Sequence, residues 1–173
     1  MKQWFMLTVV GRDQPGIVAG LTDALYKAGA NLGEASMARL GGNFTVMLMT
    51  EAEADEAALR RLIDPFARAR QLHVHIDKIE GTLHQHITPN VQISVHGADR
   101  PGIVAQVTST LTSAGLNILD LDSDVGGTAD KPIYIMVIDG YVQCGTEAIA
   151  RALEPVRLSG VEVRLTSIDT LVG

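Results

Sequence analysis

Cys144 is the single cysteine in the chain, so no internal disulfide can form, and the even set that staples most small secreted domains is missing. A reducing compartment, the cytoplasm, is the expected location. Positive charge is scarce as well: 14 Lys and Arg stand against 20 Asp and Glu, a formal charge of -6 at pH 7. That sign repels the phosphate backbone that dominates nucleic-acid affinity, so no direct nucleic-acid binding is expected. No apolar run approaches the ~18 residues that cross a bilayer, which argues against a membrane role. The start, Met1 to Val10, has a charged residue followed by apolar ones as a signal peptide does. The run is short, however, and ends at Gly11-Arg12-Asp13 without a small-residue cleavage pattern. Its β-branched and aromatic content reads as a first strand, in a chain expected to be soluble and mature as written. Phosphate loop, nucleophile elbow, zinc-protease helix and dinucleotide fingerprint are all missing, so neither catalysis nor a cofactor is expected.

What the sequence does contain is a repeat. Gly11 to Asn31, GRDQPGIVAGLTDALYKAGAN, aligns without gaps on Gly97 to Asn117, GADRPGIVAQVTSTLTSAGLN, with twelve of 21 positions identical and an offset of 86. An offset of half the chain predicts two domains of similar size, 1–81 and 90–173, joined by a linker over 82–89.

The flanking patterns repeat too. A strand, Trp4 to Val10 or Asn90 to His96, leads to a helix expected to open at Pro15 or Pro101, where the fixed φ of proline suits the first helical position. Ile17, Leu21, Leu25 and Ala28, like Ile103, Val107, Leu111 and Ala114, recur at helical spacing, and Gly29 or Gly115 stops the run. Two extended runs, a second helix and a last strand follow. In the first copy these are Asn31 to Leu40, Phe44 to Thr50, about Ala54 to Arg70, and Leu72 to Glu80. In the second they are Asn117 to Val125, Ile133 to Asp139 after a loop over Gly126 to Pro132, about Gly145 to Leu158, and Val161 to Ile168. Each half is thus βαββαβ, which predicts an α+β, ferredoxin-like domain with two helices on one face of a four-stranded antiparallel sheet. The uncovered face and the edge strands invite pairing, between the two sheets or with a second chain, so a homodimer is one expected outcome.

The repeated D-x-P-G-I-V turn joins a strand to a helix N-terminus. There the N–H groups of Gly16, Ile17 and Val18, or Gly102, Ile103 and Val104, lie free at the positive end of the helix dipole and suit a carboxylate. Asn31 and Asn117, at the start of the next strand, carry an amide able to accept from an ammonium and donate to a carboxylate. Both demands are those of a free amino acid. The plainer reading keeps Asp13 and Asp99 as helix caps, Pro and Gly as turn formers, and the asparagines as residues tolerant of a left-handed bend.

The turn, the βαββαβ order and the Gly-x-Asn that follows resemble the ACT domain, a small ligand-sensing module that commonly binds amino acids where two such domains meet. The resemblance covers nearly the whole chain, once per half. It implies ligand contacts at Gly11, Asp13, Gln14, Gly16, Ile17 and Asn31 in the first copy, and at Gly97, Asp99, Arg100, Gly102, Ile103 and Asn117 in the second. Many amino-acid-binding members carry His or Asn where this chain has Gly11 and Asp13, or Gly97 and Asp99; an acid holds an ammonium but repels a carboxylate. Two copies with nothing attached further imply a transcriptional regulator of glycine cleavage. Such a regulator acts by contact with a DNA-binding activator protein, with glycine as effector. The alternative is a free-standing regulatory subunit of an amino-acid biosynthetic enzyme.

His73-x-His75 and His84-x-His86 each place two imidazoles at a spacing that shares a strand face, but no Cys or well-spaced carboxylate completes a metal set, and solvated histidines are expected. Arg60, Arg61, Arg68 and Arg70 alternate with Leu59, Leu62, Ile63 and Phe66, the pattern of a solvated helix face. Cys144 reads as an inert thiol.

Overall fold

A computed structural model describes residues 2–80, 87–98, 101–128 and 130–168, and divides the chain into two compact units, 1–85 and 86–173. The first unit runs β1 (Gln3–Arg12), α1 (Ile17–Lys27), β2 (Asn31–Leu40), β3 (Asn43–Ala52), α2 (Glu56–Ala69) and β4 (His73–Ile79). The second runs β5 (Val91–Ala98), α3 (Ile103–Ser113), β6 (Asn117–Thr128), β7 (Lys131–Tyr141), α4 (Glu147–Leu158) and β8 (Glu162–Ser167). Both sheets are antiparallel, in the orders β2-β3-β1-β4 and β6-β7-β5-β8, so each unit is the α+β, ferredoxin-like βαββαβ fold.

Alternation decides which sheet face is covered. In β1 the side chains of Phe5, Leu7 and Val9 are buried with Leu21 and Leu25 of α1 and Leu59 and Ile63 of α2. Val91, Ile93 and Val95 of β5 form the matching cluster with Val107, Leu111, Ile149 and Leu153. Full burial of side chains of this size stabilises by roughly 1.5–3 kcal/mol each. Met6, Thr8 and Val10 alternate with the buried set on β1 and look out from the other face, as Met47 does on β3.

Three boundaries differ from the sequence expectation. The helices open at Ile17 and Ile103, two residues past the prolines, because Gly16 and Gly102 take φ of 82° and 87°. A left-handed residue ends the helical path, so Pro15 and Pro101 belong to the turn. The expected loop over Gly126 to Pro132 is instead the end of a longer hairpin, with Gly126 paired to Ile133, Gly127 to Pro132 and Thr128 to Lys131. Gly127, at φ 85°, permits this, since a Cβ there would lie 2.4 Å from the Lys131 carbonyl oxygen. The second helices begin at Glu56 and Glu147, and the Asp55 carboxylate caps the first by accepting from Ala58 N–H at 2.7 Å.

The longer hairpin shifts the repeat. Phe44 and Tyr134 hold matching places opposite Arg39 and Val125, an offset of 90 instead of 86. At the new offset the second helices also match, Leu59 with Ile149, Ile63 with Leu153, and the interior prolines Pro65 with Pro155.

Candidate functional site

The β1–α1 turn is built by opposing demands. Asp13 N–H donates to the Gly42 carbonyl at 3.0 Å, which ties the end of β1 to the β2–β3 hairpin. The left-handed Gly16 then points the chain into α1, and no side chain caps that helix. Its first amides remain available to an acceptor from outside, beside the positive end of the helix dipole. Asp13 does not cap the helix: its carboxylate pairs with the Arg39 guanidinium of β2 at 2.5 Å.

Arg70, the residue that ends α2, closes the other side of the turn. Its guanidinium donates to the Pro15 carbonyl at 2.8 Å and lies over the Phe66 ring, 5.7 Å from the centroid. Gln14 returns a longer bond, its side-chain amide donating to the Arg70 carbonyl at 3.4 Å. Among the arginines assigned to a solvated face, Arg60 pairs with Glu56 and Arg68 with Asp64, each at 3.2 Å. Arg70 departs from that expectation because a turn carbonyl lies within its reach.

Between the turn and β2 lies a cavity of about 230 Å³ lined by Asp13, Gln14, Gly16, Ile17, Met37 and Phe44 among others. It combines free main-chain donors with an apolar wall. Such a combination accommodates a small molecule with a carboxylate at one end and carbon at the other.

The expected site residues fall in different places. Gly11 lies at the end of β1, where a Cβ would meet the Leu72 side chain at 2.5 Å, and Asp13, Gln14, Gly16 and Ile17 gather at the turn. Asn31 is not with them. It stands opposite Glu51 on β3, whereas Arg12, at the turn end, stands opposite Asn43. Eight strand residues at a rise of about 3.4 Å separate the two levels by roughly 27 Å. The same holds in the second unit, where Asn117 pairs with Tyr141 and Gly97, near its turn, pairs with Tyr134. Asn31 and Asn117 are exposed strand residues, neither at a left-handed bend. Gly102 and Ile103 repeat the uncapped helix start, while Asp99 and Arg100 lie outside the described residues.

Arg39 and Arg70 contact the candidate turn, and the sequence reading placed neither of them there. No local spacing announces them, since they reach the turn from 26 and 57 positions beyond Asp13. His73 and His75 are exposed on β4, with His75 3.1 Å from Asp77; His84 and His86 lie outside the described residues. Among the described residues no group of three His, Cys, Asp or Glu could hold a metal ion, and no helix is long and apolar enough to cross a membrane. Cys144 is exposed and unbridged.

Fold, turn and repeat together define a class. The profile of the ACT domain matches residues 3–77 and again residues 91–140, and the chain belongs to that family. Among particular relatives, the glycine cleavage system transcriptional repressor of Escherichia coli is 24% identical over 123 residues, 70% of this chain and 65% of its own length. A UPF0237 protein of Lactococcus lactis, YjhC, is 35% identical over 72 residues, 41% of this chain and 83% of that protein. In three dimensions, a protein of unknown function from Galdieria sulphuraria superposes with a TM-score of 0.73 at 24% identity, covering 97% of this chain and 99% of its own. A structure provisionally designated a glycine cleavage system transcriptional repressor follows at 0.69, with 18% identity and coverages of 97% and 98%.

Proposed function

We propose that the chain is a non-catalytic, amino-acid-responsive regulator of the cytoplasm that acts through a protein partner. The observation that carries this reading is the uncapped, glycine-shaped turn at the head of α1, whose acid is already paired with Arg39 and whose cavity is open to a small carboxylate. Pairing answers the objection that Asp13 would repel a ligand carboxylate, because the guanidinium returns that corner to neutrality.

The distance between Asn31 and its own turn gives the second part of the reading. Strand β2 is an edge strand, exposed along nearly its whole length, with Leu32, Met37 and Leu40 at its surface. Antiparallel pairing with β2 of a second copy sets the Asn31 end of one strand beside the Leu40 end of the other, and so brings the asparagine of one molecule to the turn of its mate. Ligand and dimer then stabilise each other, and a coupling of about 1–3 kcal/mol suffices for a switch.

Likeness to the glycine cleavage system transcriptional repressor of Escherichia coli supports transcription of that system as the process; glycine as effector and a DNA-binding activator as partner are the further parts of this proposal. Isothermal titration with glycine and a panel of other amino acids tests the sensing step; heat from at least one is expected, and silence across the panel leaves a pure protein-interaction module. Affinity capture from the native host tests the partner. Recovery of an activator is expected, whereas a large biosynthetic enzyme in its place would make the chain a regulatory subunit.

A further inference from the structure

The outer face of the first sheet, away from its helices, carries sulfur that the second sheet lacks. Met6 of β1 stands opposite Met49 of β3 and Asp77 of β4, and the next residue on that face, Thr8, stands opposite Met47 and His75. Opposed residues share a face with Cβ atoms about 4.5–5.5 Å apart, and diagonal neighbours are about 7–8 Å apart. Met6 is therefore a hub, with Met49 across from it and Met47 and His75 on its two diagonals, all within reach of long, freely rotating thioether side chains. None of the four is buried. At the matching places the second sheet has Gln92, Asp139, Val137 and Arg164, and Gln92 donates to Asp139 at 2.9 Å, so that pair satisfies itself. A merely apolar face needs no sulfur: β7 meets that need with Ile135 and Val137.

His75 adds a prepared nitrogen. Its Nε2 lies 3.1 Å from the Asp77 carboxylate. With the proton on Nε2 the carboxylate accepts it, which holds the ring and leaves the Nδ1 lone pair for a metal, the support that metal-ligating histidines commonly have behind them. We propose that this face binds one soft monovalent cation of the Cu(I) class through the sulfurs of Met6, Met47 and Met49 and the imidazole of His75, with Asp77 as a positioning residue. Thioethers are neutral, polarisable donors that select Cu(I), whereas Mg(II) and Ca(II) require a set of oxygens. The proposal is independent of the reading of the turn.

Anaerobic titration of the full chain against the coloured complex of Cu(I) with bicinchoninate tests it. Cys144→Ser is the background, since the exposed thiol would otherwise compete for the same ion. The chain is expected to withdraw one equivalent of Cu(I) from the chelator. Met6→Leu with Met49→Leu nearly conserves volume, so circular dichroism should be unchanged, while the affinity for Cu(I) falls about tenfold or more. Asp77→Asn leaves every proposed ligand in place and is expected to weaken binding about tenfold or more through the orientation of His75. No withdrawal of Cu(I), or a withdrawal indifferent to either variant, overturns the proposal; the turn and its ligand are untouched by that result.

Discussion

Gly20 shows how a single residue can follow its neighbour instead of its propensity. In the interior of α1, replacing glycine by alanine ordinarily stabilises by about 1 kcal/mol. Here a Cβ would lie 2.2 Å from the Phe66 ring, which itself carries the Arg70 guanidinium. Gly20→Ala is therefore expected to destabilise the first unit by about 1–3 kcal/mol in urea unfolding, with Phe66→Val relieving most of the cost. The second copy has made this exchange already: Gln106 stands where Gly20 would be, and Val156 where Phe66 would be. At this scale little of the site was legible. The turn residues repeat, and repetition drew attention to them. Arg39 and Arg70 do not repeat, and they reach the turn only because sheet register and the end of α2 deliver them. Asn31 repeats faithfully yet lies at the opposite end of its sheet, so a shared motif did not imply a shared place.

Elements were more legible, because periodicity is a property of the chain alone. All twelve were anticipated in order, and the misplaced boundaries have local causes: a left-handed glycine at each first helix, and a glycine-lined hairpin read as a loop. The second helices contain one weak point, inherited by both copies. Pro65 and Pro155 sit inside α2 and α4, where an interior proline removes one backbone hydrogen bond. Pro65 is exposed, so its ring contributes little packing. Pro65→Ala is expected to raise the stability of the first unit by about 1 kcal/mol or more, read as a higher urea midpoint at unchanged slope. A lower midpoint would mean that the ring packs after all, or that the hydrogen bond Pro65 withholds from α2 must stay unmade for Arg70 to reach the turn.

For the molecule as a whole, duplication was legible from the gapless 21-residue match, and the two separate buried clusters give each copy its own core. The change of offset from 86 to 90 was not, because four residues inserted in a hairpin leave no mark on either flanking strand. Self-association belongs to this scale. Leu40, at the end of the β2 edge, is 78% exposed. A charge at that place should oppose edge pairing without touching the core. Light scattering after gel filtration is expected to report a dimer for the native chain and a monomer for Leu40→Glu; a monomer for both would remove the paired-edge arrangement.

In the proposed paired-edge dimer, the roughly 27 Å between Asn31 and its own turn would carry a consequence for behaviour. A receptor whose two halves of a binding pocket come from different copies becomes responsive only once enough of it has accumulated. Dilute, it would be deaf to its effector; abundant, it would answer sharply, so the level at which the protein is made would set the threshold at which it hears.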